Sequence, residues 1–289
     1  MGEAGLRLAR LDVVVRRSTV LMLAGLLVLC ACKSKEKQPA KPHASPLPKA
    51  TANTAQPDVG FVDNARSGLR TLEVRSGSRS LILLHGYGSS PEDWVQFTET
   101  IRVPNDTRFV FPEAPELTVP PDGPAGGRGW WRIDWASYIN HGKTLLNFSG
   151  SRPEGIDSAN EKIRALIGDV ETRPGTSEGP PILGGFSQGA MLAADVAFTT
   201  DQPLKALIIL SGTFVDEAGW TKGMAQRKGL PVFISHGQKD DILQYRIAIR
   251  LRDAMKHAGL QVHWVPFAGG HEVPAEVVTA LNTFLAHLD

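Results

Sequence analysis

The stretch Pro181-Ile182-Leu183-Gly184-Gly185-Phe186-Ser187-Gln188-Gly189-Ala190 decides how this chain is read. It holds Gly-x-Ser-x-Gly as Gly185, Ser187 and Gly189, with an apolar run before it and a small-residue helical run after it. A serine placed between a strand and a helix at that spacing sits on a sharp, strained turn that exposes its hydroxyl. The first N–H groups of the new helix lack intrahelical partners and carry partial positive charge, which suits an oxyanion formed beside the serine. The flanking positions are glycine because a side chain there would meet the neighbouring strand and helix. Ser187 is the candidate nucleophile; the plain alternative is a buried turn serine.

From about residue 58 short apolar runs alternate with helical patterns, which predicts a mostly parallel central sheet with helices on both faces. Residues 81–84, 109–111, 181–184, 206–210, 232–235 and 262–267 read as strands. Several are continuous apolar runs, as expected when both faces are buried. Ile156, Ala159, Ile163, Leu166, Ile167 and Val170 form one helical stripe, which Pro174-Gly175 ends. Leu243, Ile247, Leu251, Ala254, Met255 and Ala258 form a second, stopped by Gly259. Val277, Val278, Leu281, Phe284 and Leu285 form a third, begun at Pro274. These stripes are packing faces and carry no chemistry.

A serine hydroxyl needs a base, and the base needs an orienting acid. Behind a strand–turn–helix serine the chain order is serine, acid, histidine. Five histidines follow Ser187. His271, in Ala268-Gly269-Gly270-His271-Glu272, falls between the last strand and the final helix, at the sheet edge that carries the serine. It is the candidate base, against the alternative of a solvated loop histidine. His257 and His287 fall on helices and His263 within a strand. The acid should follow the preceding strand. In His236-Gly237-Gln238-Lys239-Asp240-Asp241 the Gly-x-x-Asp spacing selects Asp240, and Asp241 reads as a helix N-terminal residue favoured by the dipole. His236 reads as a structural histidine at the strand end. Two backbone N–H groups should face the oxyanion, one from Gln188 and one from Tyr87 in Leu84-His85-Gly86-Tyr87-Gly88.

These segments together resemble the phospholipase/carboxylesterase family of α/β-hydrolases, which includes acyl-protein thioesterases. The resemblance rests on Leu84-His85-Gly86-Tyr87-Gly88, Gly185-Phe186-Ser187-Gln188-Gly189, His236-Gly237-Gln238-Lys239-Asp240 and Gly270-His271-Glu272, and runs through most of residues 79–286. Gly129-Trp130-Trp131-Arg132-Ile133-Asp134 is similar to the family's tryptophan loop over the acyl site, and Glu154-Gly155-Ile156 opens the next helix in a family-like way. The resemblance implies an α/β-hydrolase fold, cofactor-free and metal-free hydrolysis of carboxylic esters or thioesters, Ser187, Asp240 and His271 as the triad, Tyr87 and Gln188 as oxyanion donors, and Trp130 and Trp131 at the substrate. The alternative for the two tryptophans, in a stretch rich in Pro and Gly, is capping the core. Ile242-Leu243-Gln244 lacks the proline that often follows the family's acid.

Composition bounds the remaining possibilities. The chain has 289 residues and a formal net charge of +1, but its charge is segregated. Residues 51–289 hold 22 basic against 27 acidic residues, which gives nucleic-acid binding no electrostatic support. The two cysteines, Cys30 and Cys32, leave the remainder of the chain without a disulfide, thiolate metal site or cysteine nucleophile. Arg7, Arg10, Arg16 and Arg17 precede an apolar stretch from Val20 to Leu29, the pattern of a signal peptide. Leu29-Cys30-Ala31-Cys32 resembles a bacterial lipobox, with Cys32 preceded by the small residue that lipidation requires. The alternative is an ordinary signal peptide cleaved near Ala31, or an uncleaved anchor. Residues 32–57, rich in Lys, Pro, Ala, Ser and Thr, cannot bury a core and read as a flexible tether. Three segments are expected: a leader over 1–31, the tether over 32–57 and a catalytic domain over 58–289. Lys33 behind the cysteine, where an aspartate would signal inner-membrane retention, points to the outer membrane of a bacterial envelope.

The expected activity is a serine esterase acting on a small-molecule or lipid ester, bound to the membrane through its N-terminal lipid and with no obligate protein partner. Rival enzyme readings are a lysophospholipase or thioesterase, or a depolymerase of polyesters or feruloylated polymers. The rival of another class is a surface lipoprotein that keeps the fold as a binding module, which has no need of all three triad groups.

Overall fold

In the computed structural model, residues 59–118, 126–133, 146–176 and 179–288 are described. The segments expected as leader and tether, with Cys32, lie outside them, as do Asp134 at the end of the tryptophan motif and Trp135 behind it. The main sheet is built from β1 (Val59–Asp63), β2 (Arg70–Val74), β3 (Arg79–Leu84), β4 (Thr107–Pro112), β7 (Ile182–Phe186), β8 (Ala206–Leu210), β9 (Pro231–Gly237) and β10 (Gln261–Phe267). A two-stranded ladder pairs β5 (Glu116–Leu117) with β6 (Arg128–Gly129). The eight strands lie in the order β1-β2-β4-β3-β7-β8-β9-β10. β1 and β2 pair antiparallel with their neighbours, and every pairing from β4 through β3 to β10 is parallel. All six strands expected from the apolar runs form. The α/β-hydrolase fold is thus the architecture of the described residues.

Alternation along the strands sends side chains to two cores. Ile82 and Leu84 of β3, with Val232 and Ile234 of β9, join the core beneath α2 (Ile156–Glu171), α3 (Gln188–Thr199), α4 (Glu217–Met224) and α5 (Tyr245–His257). Leu81, Leu83 and Phe233 join the other, beneath α1 (Phe97–Thr100) and α6 (Ala275–Ala286). All six residues of the first stripe are buried in α2. In α3 every residue from Gln188 to Phe198 is buried, because its alanines let the helix lie close against β7 and β8. Its single charge, Asp195, is fully buried and fully bonded. It accepts from both Arg152 terminal nitrogens (2.8 and 3.1 Å), from Asn160 Nδ2 (2.7 Å) and from Trp220 Nε1 (2.8 Å). Burial pulls the Arg152 guanidinium down, but Asp195 and Asp157 outweigh it and hold it above its usual value. This network ties α2, α3 and α4 together behind the serine turn.

One helical expectation shifts. The second stripe begins at Leu243, but α5 begins at Tyr245. Leu243 bridges Leu146 instead, and its N–H turns to the Asp240 carboxylate.

Candidate active site

Parallel strands put their carboxyl ends on one edge, where ligands of such sheets bind. Five loops meet there, after β3, β7, β8, β9 and β10. Ser187 stands at the tip of β7 with φ 53° and ψ −116°, a left-handed conformation that costs a non-glycine residue about 1–3 kcal/mol. The surroundings force it. A Cβ on Gly185 would lie 2.6 Å from the Leu84 carbonyl oxygen, and one on Gly189 would lie 2.2 Å from the same atom. The turn is pinned by Ser187 N–H donating to Leu210 O (2.9 Å) and Met191 N–H donating to Ser187 O (3.0 Å).

The structure brings His271 and Asp240 together. His271 Nδ1 lies 2.7 Å from Asp240 Oδ2. Asp241, the competing acid, is exposed. Asp240 Oδ1 accepts from the backbone N–H groups of Ile242 (2.9 Å) and Leu243 (2.7 Å). Burial alone would raise the Asp240 carboxyl, but hydrogen bonds from His236, His271 and the Leu243 amide outweigh it and hold it well below the usual carboxylate range. The carboxylate is therefore ionised at neutral pH. With Nδ1 facing Asp240, His271 has Nε2 left for proton transfer. The imidazole packs on Phe186, the residue before the serine, with ring centroids 4.9 Å apart. Two backbone bonds sew the acid loop to the histidine loop, Gln238 N–H to Phe267 O (2.8 Å) and Lys239 N–H to Gly269 O (2.9 Å).

On the other side of Ser187 stands the loop after β3. Gly86 lies against the serine, since a Cβ there would sit 3.4 Å from Ser187 Cβ. His85 is fully buried. Ala114 N–H donates to its Nε2 (3.1 Å), so that nitrogen is bare and Nδ1 carries the hydrogen, donating to Gly86 O (2.8 Å). Burial pushes the His85 imidazole down to about 4, and the ring is neutral. The Gly86–Tyr87 peptide is thereby fixed: its carbonyl faces His85, and across a trans peptide the Tyr87 N–H points the opposite way.

Gln188 begins α3, where backbone N–H groups have no intrahelical acceptor. Its side chain is fully buried and has a separate task. Oε1 accepts from Trp130 N–H (2.9 Å), and Nε2 donates to Trp131 O (2.8 Å). Trp130 and Trp131, expected at the substrate, are each only 2% exposed and belong to the core. Trp130 Nε1 donates to His85 O (2.9 Å), so this indole braces the loop after β3. His257 is exposed on α5, His263 stacks on Phe233 and His287 closes α6.

Sequence reasoning missed three supports. The His85 ring joins the neighbouring Gly86 carbonyl to the distant Ala114 N–H, and the Gln188 amide acts on backbone groups 57 and 58 residues away, although their places inside two glycine motifs were a usable signal. Ser211, fully buried with φ 47°, donates its hydroxyl to Glu272 O (3.1 Å) and so holds the residue after His271; no sequence pattern marks it. Among the described residues no group of three or more His, Cys, Asp or Glu is placed to hold a metal ion. A hydroxyl, an imidazole and an ionised carboxylate on one edge form a set that can move a proton and attack a carbonyl.

A family model described as Phospholipase/Carboxylesterase matches residues 74–288. The acyl-protein thioesterase 1 of Neurospora crassa is 24% identical over 219 residues, covering 73% of this chain and 87% of that protein. The acyl-protein thioesterase 1 of Kluyveromyces lactis is 32% identical over 169 residues, 56% of this chain and 70% of that protein. Among solved structures, that of esterase PE8 has a TM-score of 0.64 at 25% identity, covering 81% of this chain and 100% of its own. Acyl-protein thioesterase 2 of Zea mays has a TM-score of 0.60 at 23% identity, covering 76% and 98%.

Proposed function

The chain belongs to the phospholipase/carboxylesterase family and is a carboxylic ester hydrolase; from that premise we propose that Ser187, His271 and Asp240 carry the reaction. The observation that supports this most is the 2.7 Å contact of His271 Nδ1 with Asp240 Oδ2, on the sheet edge that holds the strained Ser187 turn. Ser187 Oγ attacks the ester carbonyl carbon as its proton passes to His271 Nε2. The oxyanion so formed meets the N–H groups of Tyr87 and Gln188. The tetrahedral intermediate expels the alcohol, which leaves with the proton from His271. Water then attacks the acyl-enzyme with His271 again as base, releasing the acid and restoring Ser187.

A fluorophosphonate probe tests the assignment. It should label Ser187, and Ser187→Ala should lose labelling and about a millionfold in kcat, with the Ser187→Ala/His271→Ala double variant scarcely worse because triad members act as a unit. Near-wild-type hydrolysis by purified Ser187→Ala would overturn it. A second reading, thioester rather than oxygen-ester preference, draws on relatives named acyl-protein thioesterase. Paired ester and thioester substrates of graded acyl length separate the two.

The lipobox supports a further part of the reading: lipidation at Cys32 holds the enzyme to a bacterial envelope membrane. Mass spectrometry of the native membrane fraction should find the mature chain beginning at acylated Cys32. An unmodified Cys32 inside a mature N-terminal peptide would refute it.

A further inference from the structure

His236 is the penultimate residue of β9, and its imidazole is fully buried. Its Nε2 lies 2.9 Å from Leu243 O and 3.3 Å from Asp240 Oδ2. A carbonyl only accepts, so Nε2 carries the hydrogen and shares it between the two oxygens. Nδ1 is buried and has no hydrogen-bond partner among the described residues. The ring is therefore turned wholly toward the Asp240 side, at the expense of an unsatisfied buried nitrogen.

Leu243 is gripped twice, its carbonyl by His236 and its N–H by Asp240 Oδ1. The turn from Asp240 to Leu243 is closed on itself through this imidazole. The carboxylate then has four donors for its four lone-pair sites: two backbone N–H groups on Oδ1, and the N–H groups of His271 and His236 on Oδ2.

We infer that His236 is a positioning residue for the proposed reaction: its shared Nε2–H fixes the Asp240–Leu243 turn, so that Oδ2 meets His271 Nδ1, and tempers the carboxylate. The inference rests on the triad assigned above. Without this donor the carboxylate pulls harder on the His271 proton and favours the imidazolium, so the acid limb of kcat/KM moves to higher pH. The other titratable or charged groups around the turn are Tyr245 on α5, whose ring lies 6.2 Å from that of His236, and Lys239, Asp241 and Glu272 on the adjoining loops.

His236→Leu removes the donor at similar volume, and His236→Gln restores an N–H near Nε2. His236→Leu should lower kcat about 10- to 100-fold, the scale of a lost hydrogen bond to a charged group, with KM little changed. Its acid limb should rise, its downfield His271 Nδ1–H resonance should shift, and His236→Gln should recover most of each change. Nitrogen-15 NMR of the unaltered protein reads the tautomer without any substitution and should find the hydrogen on Nε2. A hydrogen on Nδ1, or a folded His236→Leu with wild-type kcat and acid limb, would overturn the inference. Asp240→Asn is measured beside it. If that variant is crippled while His236→Leu is not, only this inference fails; if Asp240→Asn is itself active, the triad reading fails first.

Discussion

His85 stands on one side of Ser187 and His271 on the other, and the two imidazoles are held in opposite ways. His85 is fully buried, and both of its nitrogens meet backbone groups, Ala114 N–H and Gly86 O. His271 is 11% exposed at its side chain and meets a carboxylate. Burial drives His85 down to about 4 and keeps the ring neutral, while Ala114 N–H and Gly86 O fix one tautomer, so the ring acts as a permanent dipole that orients a peptide. His271 rests on the ionised Asp240, which is ready to stabilise a positive imidazole. One residue type thus provides a static strut beside the Gly86–Tyr87 peptide and, in the proposed reaction, a proton carrier beside Asp240. Environment, and not identity, divides the roles.

The sharpest way to break the contrast is to remove the charge from one side. Asp240→Asn should lower kcat by about 10,000-fold, because a neutral amide leaves His271 in the wrong tautomer and orientation. Asp241→Asn should leave ester hydrolysis close to wild type. Equal losses in the two variants would mean that Asp240 is not the orienting acid.

A smaller loss is expected on the strut side. His85→Leu frees the Gly86 carbonyl and lets the Tyr87 N–H drift, which should lower kcat by about 100- to 1000-fold, the range for one oxyanion donor. Burst kinetics with an activated ester would place the loss in acylation. Unchanged kcat in folded His85→Leu would show that the glycines alone set the peptide.

The smallest effect is on stability. His85 in the folded protein sits at about 4, below its value of 6.5 in an unfolded chain, so the unfolded chain takes up the proton first. Stability therefore falls as pH drops from 6.5 toward 4, by at most about 3 kcal/mol. Asp240 acts in a lower window. Its folded value is depressed below the ordinary 3.8, so its contribution is present above that pH and is lost as pH falls beneath it. Urea unfolding followed against pH should show the His85 slope first, and His85→Leu should flatten it. A slope unchanged in that variant would place the early acid sensitivity elsewhere.

What was legible in the sequence follows from how local each signal is. The parallel strands read clearly because burial on both faces leaves continuous runs such as Ala206–Leu210. Ser187 read clearly because Gly185 and Gly189 leave a compact trace at fixed spacing in the sequence, although the atom that forbids a side chain at both, the Leu84 carbonyl oxygen, lies about a hundred residues earlier. Asp240 and His271 were legible from their places behind β9 and β10. β1 and β2 were not read, since β1 is a largely exposed edge strand and β2, Arg70-Thr71-Leu72-Glu73-Val74, offers no continuous apolar run. α4 was missed because Gly219 and Gly223 interrupt any helical pattern; its start depends on Asp216, whose side chain caps Gly219 N–H. The inward turn of Trp130 and Trp131 was hidden for another reason. Aromatics in a glycine-rich loop look the same in sequence whether they face a ligand or the core, and the Gln188 side chain that decides it lies 57 and 58 residues away.

That Gln188 side chain separates two demands on a single position. The proposed oxyanion contact uses only a main-chain amide, which all residues but proline possess. The glutamine itself serves the tryptophan loop. A substitution at position 188 therefore keeps the main-chain amide but frees Trp130 N–H and Trp131 O, and through the Trp130 indole it reaches the loop after β3. One side chain, next in sequence to Ser187, thus couples the serine turn to a buried loop nearly sixty residues away.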